Sequence, residues 1–135
     1  MAEAAEDKDN VTYTVMITGQ QAECSQERFD TFYKPAILEA HKQGADFVVG
    51  AADGVDAYAH ALLADLCPDR VTVYDKGEKD GRGAAARGFK LVNGFDSYPD
   101  RDRAMRVQSS KIIVYLFENA LTSDTLENVL SFVEF

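Results

Sequence analysis

The sequence predicts an α/β fold with three layers, in which a parallel sheet of about five strands lies between two layers of helices. Strand-like and helix-like segments alternate along the 135 residues in the order β-α-β-α-β-loop-α-β-α. Several strand segments are almost continuously apolar, which is typical of strands that are covered on both faces. Such alternation favours parallel pairing with right-handed crossovers, and it places helices on both faces of the sheet.

The first strand is predicted over Val11 to Ile17, and the turn Thr18-Gly19-Gln20 follows at its C-terminal end. Ser25 has the side chain expected of an N-cap for the next helix. Apolar residues at helical spacing extend this helix to about Gln43, namely Phe29, Phe32, Tyr33, Ala36, Ile37 and Ala40. Because Pro35 lacks an N–H, either the helix kinks there or a second helix begins with Pro35 in its first turn.

The central part of the chain continues the alternation. Gly44 is placed to end the preceding helix, and Asp46 to Gly50 is predicted as the second strand. An amphipathic helix is predicted from about Gly54 to Leu66. Pro68 follows that helix, and Val71 to Tyr74 is the third predicted strand.

A glycine-rich stretch from Asp75 to Asp96 interrupts the pattern, with a short strand predicted inside it over Phe89 to Val92. A stretch of this length is either a functional lid or disordered. A short helix then begins at Tyr98, and Lys111 to Phe117 is predicted to be the most clearly buried strand. The last helix has an apolar stripe formed by Leu126, Val129, Leu130 and Val133.

The C-terminal helix also presents Phe132 and Phe135 beside its apolar stripe. Exposed aromatic residues at a chain end are typical of a contact between copies of a protein, so a homodimer through this helix is one interpretation. The other is a domain edge tucked against the core.

The composition indicates one domain over residues 11–135, preceded by an acidic, disordered tail over residues 1–10 with no apolar signal-peptide region. The net charge is −9, so binding to nucleic acid or to an anionic membrane surface is disfavoured. No apolar run approaches the roughly 20 residues of a membrane span. Cys24 and Cys67 form no paired motif, which fits a reducing, cytoplasmic location and gives no metal site.

The stretch from Gly50 to Asp56, G-A-A-D-G-V-D, is the strongest candidate for a ligand site. Small residues between a strand and a helix let a ligand approach the backbone, and the helix N-terminus offers unpaired N–H groups to an anion. The alternative is an ordinary β–α turn with Asp53 as the helix cap. Three loops that follow strands would meet at one sheet edge: Thr18-Gly19-Gln20, Gly50 to Asp56, and Ser123-Asp124-Thr125.

Four motifs in this order resemble the SLOG superfamily, a Rossmann-like group that includes the LOG phosphoribohydrolases, molybdenum-cofactor carrier proteins and DNA-processing protein A. They are I-T-G-Q from Ile17, G-A-A-D-G-V-D-A-Y-A-H from Gly50, Y-P-D-R-D-R-A-M from Tyr98 and S-D-T-L-E-N from Ser123. The resemblance implies a nucleotide or nucleotide-derived ligand. Its expected binding residues are Thr18, Gly19, Gln20, Gly50, Ala51, Asp53, Gly54, Asp56, Arg101, Arg103, Ser123 and Thr125.

The resemblance also implies catalytic residues. Arg101 matches the arginine that LOG enzymes use to cleave the N-glycosidic bond of nucleotides, whereas the position of their glutamate falls on Asn128. Glu127 lies one residue away, about 100° around a helix. Cleavage passes through an oxocarbenium-like state that a carboxylate stabilises, and the candidates for that role are Glu127, Asp124 and Asp56.

Each candidate residue also has an ordinary interpretation. Arg101 and Arg103 suit either a phosphate clamp or a solvated helix face, and Asp56 suits either the site or the helix dipole. His41 and His60 are expected to be structural or exposed. Cys24 is expected to be inert, and Ser123 to be an N-cap.

Three functions follow from these patterns. The first is a module that binds a nucleotide-like ligand without a further cofactor. The second is a nucleoside 5′-monophosphate N-glycosidase, which would make the protein an enzyme. The third is a DNA-processing accessory protein, which the acidic net charge disfavours.

Overall fold

The computed structural model describes residues 13–19, 25–51, 54–75 and 87–115. Within these ranges the strands are β1 (Thr14–Ile17), β2 (Asp46–Val49), β3 (Val71–Tyr74), β4 (Lys90–Val92) and β5 (Lys111–Ile113). The α-helices are α1 (Gln26–Arg28), α2 (Lys34–Lys42), α3 (Val55–Leu66) and α4 (Tyr98–Val107). A π-helical turn, Phe29–Tyr33, joins α1 to α2, and a 3-10 turn, Pro68–Arg70, precedes β3.

The five strands form one sheet in the order β4-β3-β2-β1-β5, and every neighbouring pair is parallel. The chain adds β2, β3 and β4 on one side of β1 and then returns to place β5 on the other side. The strand order therefore reverses between β1 and β5, which is where open parallel sheets commonly bind ligands. The predicted α/β fold with a five-stranded parallel sheet is confirmed.

Successive side chains along a strand point to opposite faces of the sheet. Because apolar strand residues occur on both faces, helices cover both of them. On one face the larger apolar cluster joins β1, β2 and β3 to α2 and α3, through residues that include Ile17, Phe47, Val73, Ile37 and Leu63. On the other face Met16 and Val48 pack with Met105 of α4. The predicted arrangement of a sheet between two helical layers is present in the described ranges.

The segment around Pro35 resolves the alternative that the sequence left open. The backbone stays helical from α1 through the π-helical turn, and the Lys34 N–H bonds to the Phe29 carbonyl, five residues back. Pro35 then lies in the first turn of α2, where its missing N–H is tolerated. We attribute the wider turn to the proline ring, which would press on a carbonyl of a regular α-helical turn.

Most other predicted elements occur with ends shifted by one to three residues. Gly44 ends α2 with φ 89°, and the Ala45 N–H bonds back to the Ala40 carbonyl at 3.1 Å. The largest difference is β5, which was expected to be deeply buried. Lys111 is exposed, and the two isoleucines after it are only half-buried, because β5 lies outside β1 in the strand order.

Several sequence predictions fall outside the described residues. They are the tail over residues 1–10, most of the glycine-rich stretch, and the C-terminal helix with its proposed dimer contact. No helix in the described ranges combines the length and apolar character needed to cross a bilayer.

Candidate functional site

The loop after β1 packs directly against the start of α3. A Cβ atom added to Gly19 would lie 2.5 Å from Val55 Cγ2, and the Tyr33 hydroxyl would be closer still. Gly54, the N-cap residue of α3, has φ 77°, a conformation that favours glycine. Two of the predicted ligand loops therefore meet at the C-terminal edge of the sheet, and internal packing already requires Gly19 to have no side chain.

A second close approach brings together three residues that the sequence assigned to the site. A Cβ atom on Gly50, which follows β2, would lie 2.6 Å from Asp56 Oδ2 and 3.1 Å from Arg101 Nη1. Asp56 comes from the first turn of α3 and is 7% exposed, whereas Arg101 comes from α4 on the other face of the sheet. The Asp56 carboxylate and the Arg101 guanidinium thus lie so close to the Gly50 backbone that a methyl group on Gly50 would clash with the carboxylate.

Arg101 is held in place by its own neighbours on α4. Its Nε and Nη2 atoms donate to Asp102 Oδ1 at 3.0 and 2.8 Å, and its Cζ lies 5.0 Å from the centre of the Tyr98 ring. The Arg101 and Asp102 side chains are 12% and 10% exposed, so water screens this pair little. An anion approaching from Gly50 would meet Nη1, and the carboxylates of Asp56 and Asp102 would oppose its charge.

The structure separates Arg103 from this group. Arg103 is exposed, and it lies two residues beyond Arg101, about 200° around the axis of α4. Of the two predicted phosphate clamps, Arg101 lies next to Gly50, whereas Arg103 is exposed on another side of α4. Arg103 is therefore a matched control for substitutions at Arg101.

His60 supports the Gly50 loop from within α3. Its Nε2 atom lies 2.8 Å from the Gly50 carbonyl oxygen. Because a carbonyl only accepts, Nε2 carries the hydrogen. The ring packs edge-on against Phe89, at 5.6 Å between centroids. Burial lowers the pKa of His60, the bond to Gly50 opposes that shift, and the charge of Arg87 adds to it. The expectation that His60 is structural fits these contacts.

Replacing His60 with glutamine should reduce the pH dependence of stability in mildly acidic solution. As the pH falls through about 6.5, the unfolded chain protonates His60 before the folded protein does, so the free energy of unfolding decreases. Urea unfolding at several pH values should show a shallower decrease for His60→Gln than for the wild type. An unchanged slope in His60→Gln would contradict the prediction.

Tyr33 occupies the point where the strand order reverses. Its hydroxyl donates to the Thr18 carbonyl at 2.8 Å and accepts from the Tyr115 N–H at 2.9 Å. The residue is fully buried and stacks on Phe29 at 5.5 Å. Tyr33 thus ties the end of β1 to the segment after β5, a role that its place in an apolar stripe did not reveal.

Of the remaining predicted site residues, Thr18 and Ala51 lie within the described ranges. Thr18 is half-buried, and its N–H bonds to the Ile113 carbonyl at 3.2 Å. Ala51 is half-buried directly after Gly50. Gln20, Asp53, Ser123, Asp124, Thr125 and Glu127 lie outside the described residues. Within the described ranges, no group of three or more His, Cys, Asp or Glu side chains could hold a metal ion.

A polar cavity of about 150 Å³ lies away from these residues, toward the N-terminal ends of the strands. Its lining includes Thr14, Asp46, Arg70 and Lys90. Arg70 and Asp46 approach to 3.8 Å, but both are more than one-third exposed, so the pair contributes little. Because several of its lining residues lie at the starts of strands, the cavity is separate from the candidate site at the C-terminal edge.

Comparison with known proteins gives no relative for this chain. No protein-family model, no curated protein and no solved structure matches it. The resemblance to the SLOG superfamily therefore depends on the four sequence motifs.

Proposed function

We propose that the protein binds a nucleotide or nucleotide-derived small molecule at the C-terminal edge of its sheet. The main supporting observation is the meeting of Gly50, Asp56 and Arg101 at that edge. These residues come from two of the SLOG-like motifs, in which Asp56 and Gly50 precede Arg101 by 45 and 51 positions, and they belong to three different structural segments. Such convergence at the end of a parallel sheet is typical of ligand sites.

The start of α3 adds a group of hydrogen-bond donors to this proposed site. Gly54 caps the helix without a side chain, so it provides no side-chain acceptor for the first N–H groups of α3. The helix has 12 residues, and its dipole favours an anion at this end. Because Asp102 engages two of the three Arg101 nitrogens, we assign the phosphate to the helix N-terminus and leave Arg101 to orient the ligand beside Gly50.

A second candidate is hydrolysis of the N-glycosidic bond of a nucleotide. The observation that favours it is the burial of the Asp56 carboxylate next to Arg101 and Gly50. In this reaction water adds to the anomeric carbon, the carbon–nitrogen bond breaks, and the departing base takes up a proton. A buried carboxylate beside the sugar stabilises the positive charge that develops on its ring. No described contact favours the third candidate, a DNA-processing accessory protein.

A thermal-shift screen tests the binding proposal directly. The panel contains nucleoside mono-, di- and triphosphates, ADP-ribose, cyclic nucleotides and, as controls, inorganic phosphate and ribose 5-phosphate. A ligand at 100 times its dissociation constant adds about 2.7 kcal/mol to the free energy of unfolding. We expect at least one nucleotide to raise the unfolding temperature, and the absence of any shift across the panel would contradict the proposal.

Three variants and one assay separate the candidates. Arg101→Lys keeps the positive charge but loses the two-nitrogen contact with Asp102, so it should weaken binding. Arg103→Ala, on the exposed side of α4, should bind like the wild type. Each bound nucleotide is then incubated with the protein and analysed for free base by chromatography. Base release that Asp56→Asn abolishes would establish the glycosidase, and intact nucleotide supports the binding module.

A further inference from the structure

Asp75, the first residue after β3, has a buried carboxylate that the fold leaves incompletely satisfied. The residue is 2% exposed, and its Oδ2 atom has no hydrogen-bond partner within the part of the chain that the structure describes. Its backbone N–H bonds to the Val92 carbonyl at 2.9 Å, which fixes the residue at the end of the β3–β4 ladder. A buried acceptor without a partner costs free energy, so its presence calls for an explanation, and a bound molecule that supplies the missing donor is one.

The position of Asp75 links it to the proposed ligand site. If the β2–β3 register is continued by two residues, Asp75 lies beside Ala51, which directly follows Gly50. Neighbouring strands are about 4.8 Å apart, so Asp75 is one strand spacing from the loop after β2. Strand alternation places its side chain on the same face as Val71 and Val73, which is the face covered by α3.

We propose that the Asp75 carboxylate accepts hydrogen bonds from the sugar hydroxyls of the bound nucleotide, an inference that rests on the proposed function. An ionised carboxylate only accepts, so its partner must be a donor, and a phosphate is repelled. Two adjacent hydroxyls of a ribose offer a pair of donors to one carboxylate. In a nucleotide the sugar is directly attached to the 5′-phosphate. With the phosphate at the start of α3, the sugar would lie near Asp75, which is one strand spacing from the loop that leads into that helix.

Calorimetric titration with matched nucleotides tests this assignment. The probes are AMP, GMP, CMP and UMP together with their 2′-deoxy and 3′-deoxy forms, titrated into the wild type and Asp75→Ala. Hydrogen bonds to charged groups contribute enough that the wild type should prefer a ribonucleotide over one of its deoxy forms by about tenfold or more. Asp75→Ala should bind the ribonucleotide and the deoxy forms equally.

The other outcomes distinguish this inference from the proposed function. Equal wild-type affinity for ribo and deoxy forms overturns the role of Asp75 and leaves nucleotide binding standing. The same holds if Asp75→Ala keeps the sugar preference, or if it loses a preference among bases instead. A failure of every nucleotide to bind removes both proposals.

A measurement without ligand provides a second test. If the Asp75 carboxylate is reserved for a ligand, Asp75→Asn replaces a carboxylate whose Oδ2 atom has no partner within the described part of the chain and should raise the urea midpoint of the free protein. Asp65→Asn, at an exposed position on α3, is the control and should leave the midpoint unchanged. A lower midpoint for Asp75→Asn would show that the carboxylate stabilises the fold, and it would overturn the inference.

Discussion

Gly19→Ala is expected to destabilise the protein by about 3 kcal/mol or more, at the upper end of the range for overpacked cores. The added Cβ would lie 2.5 Å from Val55 Cγ2 and even closer to the Tyr33 hydroxyl, and both side chains are at most 1% exposed. Neither group can easily move, because Val55 is β-branched and the Tyr33 hydroxyl bonds to two backbone segments. The substitution should therefore separate the loop after β1 from α3.

Urea unfolding of Gly19→Ala and Gly94→Ala distinguishes this steric effect from backbone strain. Gly94 has φ 91° and open space around its Cα, so alanine there should cost only about 1 kcal/mol. Combining Gly19→Ala with Val55→Ala should cost less than the sum of the two single substitutions, because the second removes a clashing methyl group. Strict additivity, or a cost at Gly19 no larger than at Gly94, would refute the close-packing explanation.

The layered fold was predictable because local patterns determine which elements form and which faces they bury. Phe47, Val48 and Val49 are consecutive apolar residues, and they indeed contribute to the clusters on both faces of the sheet. The alternation of elements then limited the topology to a parallel sheet. The burial of β5 was predicted wrongly because an apolar run does not reveal which neighbours a strand acquires, and β5 has β1 on one side in the described sheet.

The candidate site was predictable only in part, because a sequence pattern does not specify which groups a side chain contacts. The motifs identified Gly50, Asp56 and Arg101, which the structure brings together. They did not identify Asp102 as the partner of Arg101, since adjacent helical residues do not normally face each other. Tyr33 was likewise placed correctly on a buried face, but helical spacing does not specify which backbone groups its hydroxyl meets.

Arg101→Ala is expected to lower the free energy of unfolding by about 3 kcal/mol, a typical cost of removing one partner from a buried ion pair. The arginine donates two hydrogen bonds to Asp102, which is 10% exposed, and its Nη1 atom is near the buried Asp56 carboxylate. Its loss would leave both negative charges without this cation in a poorly solvated environment. Arg103→Ala, two residues along α4 at an exposed position, should change stability by less than about 0.5 kcal/mol.

Chemical denaturation of Arg101→Ala, Asp102→Asn and the double variant separates the charge pair from other effects. Asp102→Asn in the Arg101→Ala background should recover part of the lost stability, because it removes one of the two carboxylates that lie next to the arginine in the wild type. Equal costs for Arg101→Ala and Arg103→Ala would show that the pair does not stabilise the fold. Arg101 is expected to stabilise the fold and also to contact the ligand. Ligand affinity of Arg101→Ala should therefore be measured at a temperature at which this variant remains folded. Arg101→Lys, which retains a cation beside Asp56 and Asp102, provides the corresponding test with a smaller expected loss of stability.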